Sequence, residues 1–382
     1  MKKFIQLIVI FFIIIGCSKN NNEIKDTEKQ DILAFVKNEV TAKNLNSVSF
    51  AVIKNGALLW SDAVGFADKA NNIKATSQTL YLIASVSKTV TGVALMQLQE
   101  KGLFQLNDDI NTFLPFSIRN PSFPNEPITF KMLCNHTSSI SDENYFNYNF
   151  YSFGTDSSLS LTTMMSQFFT TGGNYFSTTN FTNNKPGTTV EYTNMGIALM
   201  GYLVERISQK PFYQYCNENI FVPLGMSKTS WRLTQFPFSE LAIPYSEPAS
   251  ATNLLNPHYT FSDYPNGGLR TNVNDLAKFF NVIIKNGTYQ GVTILNPTTV
   301  SLIKQKSGFT DSVSEYGLVF RYFNVDGLEL FGHTGGESGV NSGMLADLSK
   351  NTGIIIFSNS TPQNGKELEP ILKRLLMFAS SK

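Results

Sequence analysis

The stretch LELFGHTGGESGVNSGMLADLSKNTGIIIFSN, residues 328–359, indicates how this chain folds. Its short apolar runs are separated by Gly, Asn and Asp, a pattern that predicts successive β-strands. Near the other end, SVSFAVIKNGALLWSDAVGFAD (residues 47–68) alternates apolar and polar residues around Asn55-Gly56, which is a strong hairpin signal. Strands near both ends of the chain predict one α+β unit whose two ends meet.

The region between these strands has apolar residues at helical spacing. Helices are predicted at Ser85–Gln99, Met195–Ile207 and Pro211–Phe221, with a first helix at Asp31–Lys43 and a closing helix at Lys366–Ala379. We therefore predict a mostly helical subdomain over residues 93–265, and a cleft where it meets the strands. Residues 141–186 are rich in aromatic side chains, which we expect to pack inward; the alternative is that some line a substrate cleft.

Composition points to a globular protein that acts on small molecules or peptides. Among 382 residues, 42% are hydrophobic, and 30 Lys and Arg face 29 Asp and Glu. A balanced charge gives no reason to expect nucleic acid as a partner. Cys134 and Cys216 are expected to be buried thiols, although a disulfide between them is the alternative.

The N-terminus, MKKFIQLIVIFFIIIGCSKN, has the pattern of an export signal. Lys2 and Lys3 precede an apolar run over residues 4–15, which is too short to span a bilayer comfortably. The ending Gly16-Cys17 resembles the bacterial lipoprotein signal, in which the cysteine becomes the lipidated first residue. We predict a signal peptide over residues 1–16, a polar tether over 17–29, and a lipid-anchored protein of the cell envelope. An uncleaved anchor and an ordinary cleaved signal are the alternatives.

Ser85 and Lys88 are the first candidate catalytic pair. In YLIASVSKTVTG, residues 81–92, Ser85 sits where a strand gives way to a helix, next to unpaired backbone N–H groups that favour a developing anion. Lys88, three residues later, lies on the same helix face. The spacing alone is weak evidence, because Ser301 and Lys304 repeat it inside a predicted helix. The alternative is that Ser85 or Ser87 only caps the helix.

Two further motifs accompany this pair. Tyr192-Thr-Asn194 stands directly before a predicted helix, which distinguishes it from the other Tyr-x-Asn triplets of the chain. The triplet from His333 to Gly335 is the one His-Thr-Gly in the sequence. A serine hydroxyl is a poor nucleophile without a base, so partners of this kind are required.

In this order, SVSK, EYTNMGIALMGYLVE and GHTGGESG resemble the active-site motifs of the serine β-lactamase and DD-peptidase superfamily. The chain is most similar to its class C-like serine hydrolases, which include esterases and D-aminopeptidases. The resemblance covers about residues 30–360 and places a hydrolase domain at residues 30–382. It implies an antiparallel β-sheet flanked by helices, with an inserted helical subdomain and the active site between the two parts.

The resemblance also implies residue roles. Ser85 would be the acylated nucleophile, and Lys88 its proton acceptor or electrostatic partner. Tyr192 would be the general base, a role that requires cations able to stabilise a phenolate. Asn194 would hold Lys88 and the acyl side chain of the substrate.

The oxyanion hole would consist of the backbone N–H groups of Ser85 and Gly336. His333, Thr334 and Gly335 would contact substrate. His333 stands where efficient β-lactamases commonly have a lysine, and a histidine at its reference pKa is mostly neutral at pH 7. A purely structural role for His333 is the alternative.

Other residues indicate what the site lacks. The second and third motifs are not the Ser-Asp-Asn and Lys-Thr-Gly of class A β-lactamases, which disfavours the class A mechanism. His136 and Thr137, in LCNHTSSI, match a family motif that we interpret as support for the helical subdomain. Three histidines without paired ligand spacing make a metal site improbable, and no cofactor is expected.

We therefore predict a serine hydrolase that acts through an acyl-enzyme on Ser85. Its substrate would be a peptide or amide of the D-amino-acid or cell-wall type, or a small ester. A true β-lactamase and a non-catalytic, penicillin-binding-like lipoprotein that binds peptides are the alternatives.

Replacing Cys17 with Ser should release the protein from membranes, because serine lacks the thiol that lipidation requires. Fractionation of cells into membrane and soluble pools measures this, with Cys216→Ser as the control that should stay in the membrane pool. Equal membrane retention of wild type and Cys17→Ser would count against lipidation.

Overall fold

The computed structural model describes residues 24–245 and 258–382. The predicted signal peptide, Cys17 and the first residues of the tether lie outside the described residues. Within the described ranges, no helix is both long enough and apolar enough to cross a bilayer.

Helices begin and end close to the positions that the sequence pattern indicates. In the described ranges they are α1 (Asp26–Ala42), α2 (Ser87–Glu100), α3 (Phe130–Cys134), α4 (Leu161–Phe169), α5 (Asn194–Ser208), α6 (Phe212–Cys216), α7 (Val273–Ile284), α8 (Pro297–Lys304) and α9 (Glu369–Ser380). The helix predicted at 211–221 is split, since α6 continues as a π-helical turn over Asn217–Phe221.

Several of the strands are only two residues long. They are β1 (Ser47–Lys54), β2 (Ala57–Asp68), β3 (Ile73–Lys74), β4 (Tyr81–Leu82), β5 (Tyr151–Phe153), β6 (Tyr259–Phe261), β7 (Arg270–Thr271), β8 (Thr288–Tyr289), β9 (Val292–Thr293), β10 (Ser314–Tyr316), β11 (Arg321–Val325), β12 (Leu328–Glu337), β13 (Val340–Asp347) and β14 (Thr352–Ser358). The main sheet is antiparallel, in the order β10-β11-β12-β13-β14-β1-β2-β3. This confirms the predicted α+β class with an antiparallel sheet flanked by helices.

The two ends of the chain meet at the centre of this sheet. β1 pairs with β14, with Phe50 opposite Ile356. Both strands are apolar on successive residues because both faces of the sheet are covered. Phe50 and Ile356 pack into a core with α1 and α9, whereas Ala51 and Ile355 belong to the larger core that includes α2 and α7.

The predicted start of the first helix was wrong. α1 begins at Asp26 rather than Asp31, so the last residues of the predicted tether are helical. Acidic residues in its first turn, Asp26 and Glu28, favour the positive end of the helix.

Cys134 and Cys216, the cysteines within the described ranges, are free and buried, as expected. Burial raises the pKa of the Cys134 thiol to about 12, and it raises the pKa of Cys216 as well. Rings in residues 141–186 pack inward only in part. Those of Phe150, Phe168, Phe169 and Phe181 are buried, but Phe146 and Phe153 are exposed.

Gly332 lies where β12 stops pairing with β11, and the backbone there admits no side chain. Its φ is +153°, and a Cβ would lie 1.8 Å from the carbonyl oxygen of Met344 on β13. The sheet edge that continues from Gly332 therefore depends on glycine at this position.

Gly332→Ala should lower the free energy of unfolding by at least about 3 kcal/mol, from backbone strain and overpacking together. Gly102→Ala is the matched control: its φ is +70° but no atom lies within 4 Å of the added Cβ, so about 1 kcal/mol is expected. Urea denaturation measures both values. Equal losses in the two variants would show that the close approach to Met344 contributes nothing.

Candidate active site

Ser85 lies on a short 3-10 turn, Ala84–Val86, between β4 and α2. The residue before it, Ala84, has a φ of +43°, a conformation that costs energy for any residue with a side chain. The carbonyl of Ile83 accepts a hydrogen bond from Ser342 Oγ at 2.8 Å, and the Ile83 N–H donates to Leu269 O at 3.0 Å. Neighbouring strands and loops thus fix the turn that presents Ser85.

Neither serine of the motif caps the helix. The N-cap positions of the 3-10 turn and of α2 have no side-chain capping bond. Ser87 is fully buried, and its hydroxyl accepts a hydrogen bond from the Leu269 N–H at 3.2 Å. Ser85 is only partly buried, and its hydroxyl contacts Lys88. The interpretation as a helix cap is therefore wrong for both.

Lys88 joins the first two motifs. Its side chain is fully buried, and Nζ donates to Ser85 Oγ at 3.0 Å, to Asn194 Oδ1 at 2.7 Å and to the backbone oxygen of Asn266 at 2.9 Å. An ammonium has three N–H donors, and all three are satisfied here. A buried cation is stable only with such partners, so these contacts define one position for Nζ.

A buried carboxylate that the sequence analysis missed holds the second motif. Asp142 accepts hydrogen bonds from Thr193 Oγ1 at 2.6 Å, from the Asn194 N–H at 2.6 Å and from the Met195 N–H at 3.0 Å. It therefore binds the first N–H groups of α5, where a negative charge is favourable. Asp142 is some 50 residues away in the chain, so no local pattern could have identified it.

The ring of Tyr192 lies between cations and a histidine. Lys88 Nζ is 5.0 Å from the ring centroid, and the guanidinium carbon of Arg321 is 5.4 Å from it. The ring of His136 stacks on it with centroids 4.6 Å apart. Arg321 also forms an ion pair with Asp311. The sequence analysis did not identify Arg321 as a site residue, because nothing in the pattern distinguishes it from the other residues of its strand. Nearby positive charge is the condition under which a phenolate is stabilised.

His136 supports the second motif rather than contacting Ser85. Its Nδ1 accepts a hydrogen bond from the Thr193 N–H at 3.2 Å, and its carbonyl accepts from the Glu191 N–H at 2.8 Å. Burial and the positive charges of Lys88 and Arg321 hold the pKa of His136 well below its usual value. A neutral imidazole is required for Nδ1 to accept, and these contacts fit the supporting role that we predicted.

The third motif lies on a sheet edge that faces Ser85. β11 pairs with β12 only as far as Gly332, whereas β13 pairs with β12 as far as Glu337. A Cβ on Gly335 would lie 2.9 Å from Ser85 N and 2.7 Å from Ile83 O, so only glycine allows this approach. Gly336 follows as an exposed residue of the same free edge. Its predicted part in an oxyanion hole stays a prediction.

His333 is buried and uncharged at neutral pH. Only 1% of the residue is exposed, and Nδ1 lies 2.6 Å from the carbonyl oxygen of Thr334. Burial, followed by the charges of Arg321 and Lys88, lowers the pKa of His333 to about 3. Thr334 is exposed, because alternate residues of a strand face opposite sides. His333 is thus placed to support the site rather than to supply a positive charge to it.

The second Ser-x-x-Lys motif, Ser301 to Lys304, does not form a comparable site. Ser301 lies within α8, and Lys304 Nζ donates to Asn286 Oδ1 at 3.0 Å.

Within residues 24–245 and 258–382, no three His, Cys, Asp or Glu side chains are grouped so as to hold a metal ion.

Comparison with known proteins identifies the family. The model of the Beta-lactamase family matches residues 32–376. Protein flp of Staphylococcus aureus is 24% identical over 342 residues, which cover 88% of this chain and 64% of that protein. Putative penicillin-binding protein PbpX of Bacillus subtilis is 24% identical over 272 residues, or 69% of this chain and 62% of its own. This chain thus spans less than two thirds of the length of these relatives.

Solved structures show the same fold. D-amino acid amidase from Ochrobactrum anthropi has a TM-score of 0.74 at 21% identity, over 93% of this chain and 98% of its own. The octameric penicillin-binding protein homologue from Pyrococcus abyssi has a TM-score of 0.71 at 21% identity, over 94% of this chain and 78% of its own. Because the family model covers most of the chain, and the predicted motifs lie within it, this protein belongs to the Beta-lactamase family.

Proposed function

We propose that this protein is a serine hydrolase that forms an acyl-enzyme on Ser85 and releases it to water. The observation that carries the proposal is the position of Lys88 Nζ, which donates to both Ser85 Oγ and Asn194 Oδ1. One buried cation thereby links the predicted nucleophile to the motif that contains the predicted base. A serine that only served the fold would not need this arrangement.

In the proposed reaction, Ser85 Oγ attacks the acyl carbon while its proton passes to Tyr192, with Lys88 stabilising the charges that form. The developing oxyanion meets the N–H groups of Ser85 and Gly336. The bond to the leaving group then breaks, and the leaving group takes the proton. Water attacks the acyl-enzyme and gives its proton to Tyr192. The bond between the acyl carbon and Ser85 Oγ then breaks, Tyr192 returns the proton to Oγ, and the carboxylic acid product leaves.

The favoured substrates are peptides or amides of the D-amino-acid or cell-wall type, and small esters. A neutral His333 leaves the third motif without a fixed positive charge for a substrate carboxylate. This supports ranking such substrates above β-lactam antibiotics. Because of the pattern at residues 1–17, we also propose that the enzyme is exported and anchored by lipid at Cys17.

A fluorophosphonate or fluorescent penicillin probe should label the wild type and lose its labelling in Ser85→Ala. The Ser301→Ala variant is the matched control, since it removes the other Ser-x-x-Lys serine, and it should label like wild type. In-gel fluorescence measures the label. An unlabelled wild type, or labelling that persists in Ser85→Ala, would refute the hydrolase and favour a protein that only binds peptides.

His333 should not contribute a titration to catalysis between pH 5 and 8, because its pKa of about 3 lies below that range. The ratio of kcat/KM for a carboxylate-bearing ester to that for its neutral analogue should therefore be constant over this range. Taking a ratio cancels titrations that affect both substrates. A ratio that falls as pH rises through about 6.5 would instead identify His333 as a cation that binds carboxylate.

A further inference from the structure

Glu337 is the last residue of β12 and lies on the side of that strand that faces Ser85. The position of a Cβ on Gly335, 2.9 Å from Ser85 N, shows which face of β12 is turned to the nucleophile. Pairing with β13 is regular from Phe331 to Glu337, and residues two apart on a strand share a face. His333 and Glu337 therefore lie on the Ser85 side, about 13 Å apart along the strand, with Gly335 between them.

These two ends of the face have different surroundings. At one end, the rings of His333 and Tyr192 have centroids 6.3 Å apart. The leaving group must lie at this end, because Tyr192 returns a proton to it in the proposed reaction. The acyl part of the substrate then extends along β12 toward Glu337.

Glu337, Tyr151 and Tyr259 form a cluster at the end of β12, here called the acidic corner. Tyr151 lies beside the Glu337 carboxylate, and its ring meets that of Tyr259 edge to face, with centroids 5.4 Å apart. Tyr259 OH donates to the Ser338 carbonyl at 2.6 Å. Burial and the charge of Glu337 raise the pKa of Tyr151, so its hydroxyl stays protonated. The corner combines one carboxylate with two neutral aromatic rings.

The carboxylate of Glu337 has acceptor capacity to spare. Oε1 accepts from the Ser338 N–H at 2.8 Å, and none of the ion pairs within residues 24–245 and 258–382 involves Glu337. The residue is only partly buried, so a ligand in the cleft can reach it. An ionised carboxylate offers about four lone-pair sites. The Ser338 N–H uses one and the Tyr151 hydroxyl, which hydrogen-bonds to Glu337, uses another, so about two stay open for a ligand.

A second carboxylate, that of Asp263, lies near the acidic corner. Asp263 is fully buried, the Tyr145 hydroxyl hydrogen-bonds to it, and its charge acts on Tyr151 and Tyr145. The cation on this side, Arg270, is also buried and donates to the backbone carbonyls of Tyr259 and Gly268. Glu337 and Asp263 therefore both act on Tyr151, while the guanidinium of Arg270 is already bound to backbone carbonyls.

We propose that Glu337 determines specificity by binding a protonated amine on the acyl part of the substrate. This inference rests on the proposed function, and it makes aminoacyl amides and esters the favoured substrates of the site. A carboxylate forms charge-assisted hydrogen bonds with an ammonium, and the faces of aromatic rings attract the same cation. The amine belongs either to the α-carbon of the acyl group or to the end of a longer chain.

The test compares p-nitroanilides of D-alanine, L-alanine and 6-aminohexanoate, each with a free and with an acetylated amine. Wild type should prefer the free amine, and Glu337→Gln should lower kcat/KM for it by roughly tenfold, the usual loss for a hydrogen bond to a charged group. On the acetylated partner, Glu337→Gln should change kcat/KM by less than about twofold. The alanine and 6-aminohexanoate arms separate an α-amine from a distant amine.

Glu329→Gln is the matched control, because Glu329 is on the same strand but pairs with Lys306 at the surface. It should leave kcat/KM for both members of each pair unchanged. A second readout needs no turnover: the free amide of D-alanine should protect Ser85 from a fluorophosphonate at roughly tenfold lower concentration than its acetylated form, and Glu337→Gln should remove that difference.

The inference is overturned if Glu337→Gln lowers kcat/KM equally for the free and the acetylated substrate of a pair. It is also overturned if the free amide of D-alanine protects Ser85 of the wild type no better than its acetylated form does. Normal fluorophosphonate labelling of Glu337→Gln would show that the site is intact in either case. Failure of the proposed function is a separate result, seen as a wild type that the fluorophosphonate does not label, and the inference falls with it.

Discussion

The buried ammonium of Lys88 is the interaction on which the site depends. Its three donors are bound by Ser85, Asn194 and the carbonyl of Asn266, which come from three separate parts of the chain. Removing any of these acceptors leaves a buried N–H unsatisfied, at a cost of about 1–3 kcal/mol or more for a charged group. The same bonds that keep the cation stable therefore hold Ser85 beside the second motif.

The other half of the site is formed by the free edge of β12 in the main sheet. β12 has β13 on one side but loses β11 beyond Gly332, so its last residues are free to meet a substrate. Gly335 lets this edge approach the turn that carries Ser85 closely. The candidate active site is thus the place where the antiparallel sheet ends and the helical part begins, and one large core packs against both.

The electrostatics of the cleft are asymmetric along that edge. Near Tyr192, burial and then the charges of Lys88 and Arg321 lower the pKa of His136 and of His333, so both imidazoles are neutral. At the other end, Glu337 lies beside neutral tyrosines. Burial strengthens each of these effects, because charges interact more strongly away from water. An acyl group that bears a cation is complementary to this distribution.

The amino-acid sequence by itself determined the α+β class, the hairpin at Asn55-Gly56, the main helices and the order of the three motifs. These features follow from local periodicity, turn chemistry and short motifs, which a single stretch of chain contains. The start of α1 was less well predicted, because its polar first turn, which includes Asp26 and Glu28, precedes the apolar residues on which the prediction rested.

Only the tertiary structure decided which neighbours complete the site. Asp142 binds the start of α5 across some 50 residues, Arg321 reaches Tyr192 from β11, and Glu337 lies on the Ser85 side of β12. It also decided that His333 is neutral, since a pKa depends on burial and on the charges nearby in space. Contacts between residues distant in the chain leave no local pattern, which is why no reading of adjacent residues could have found them.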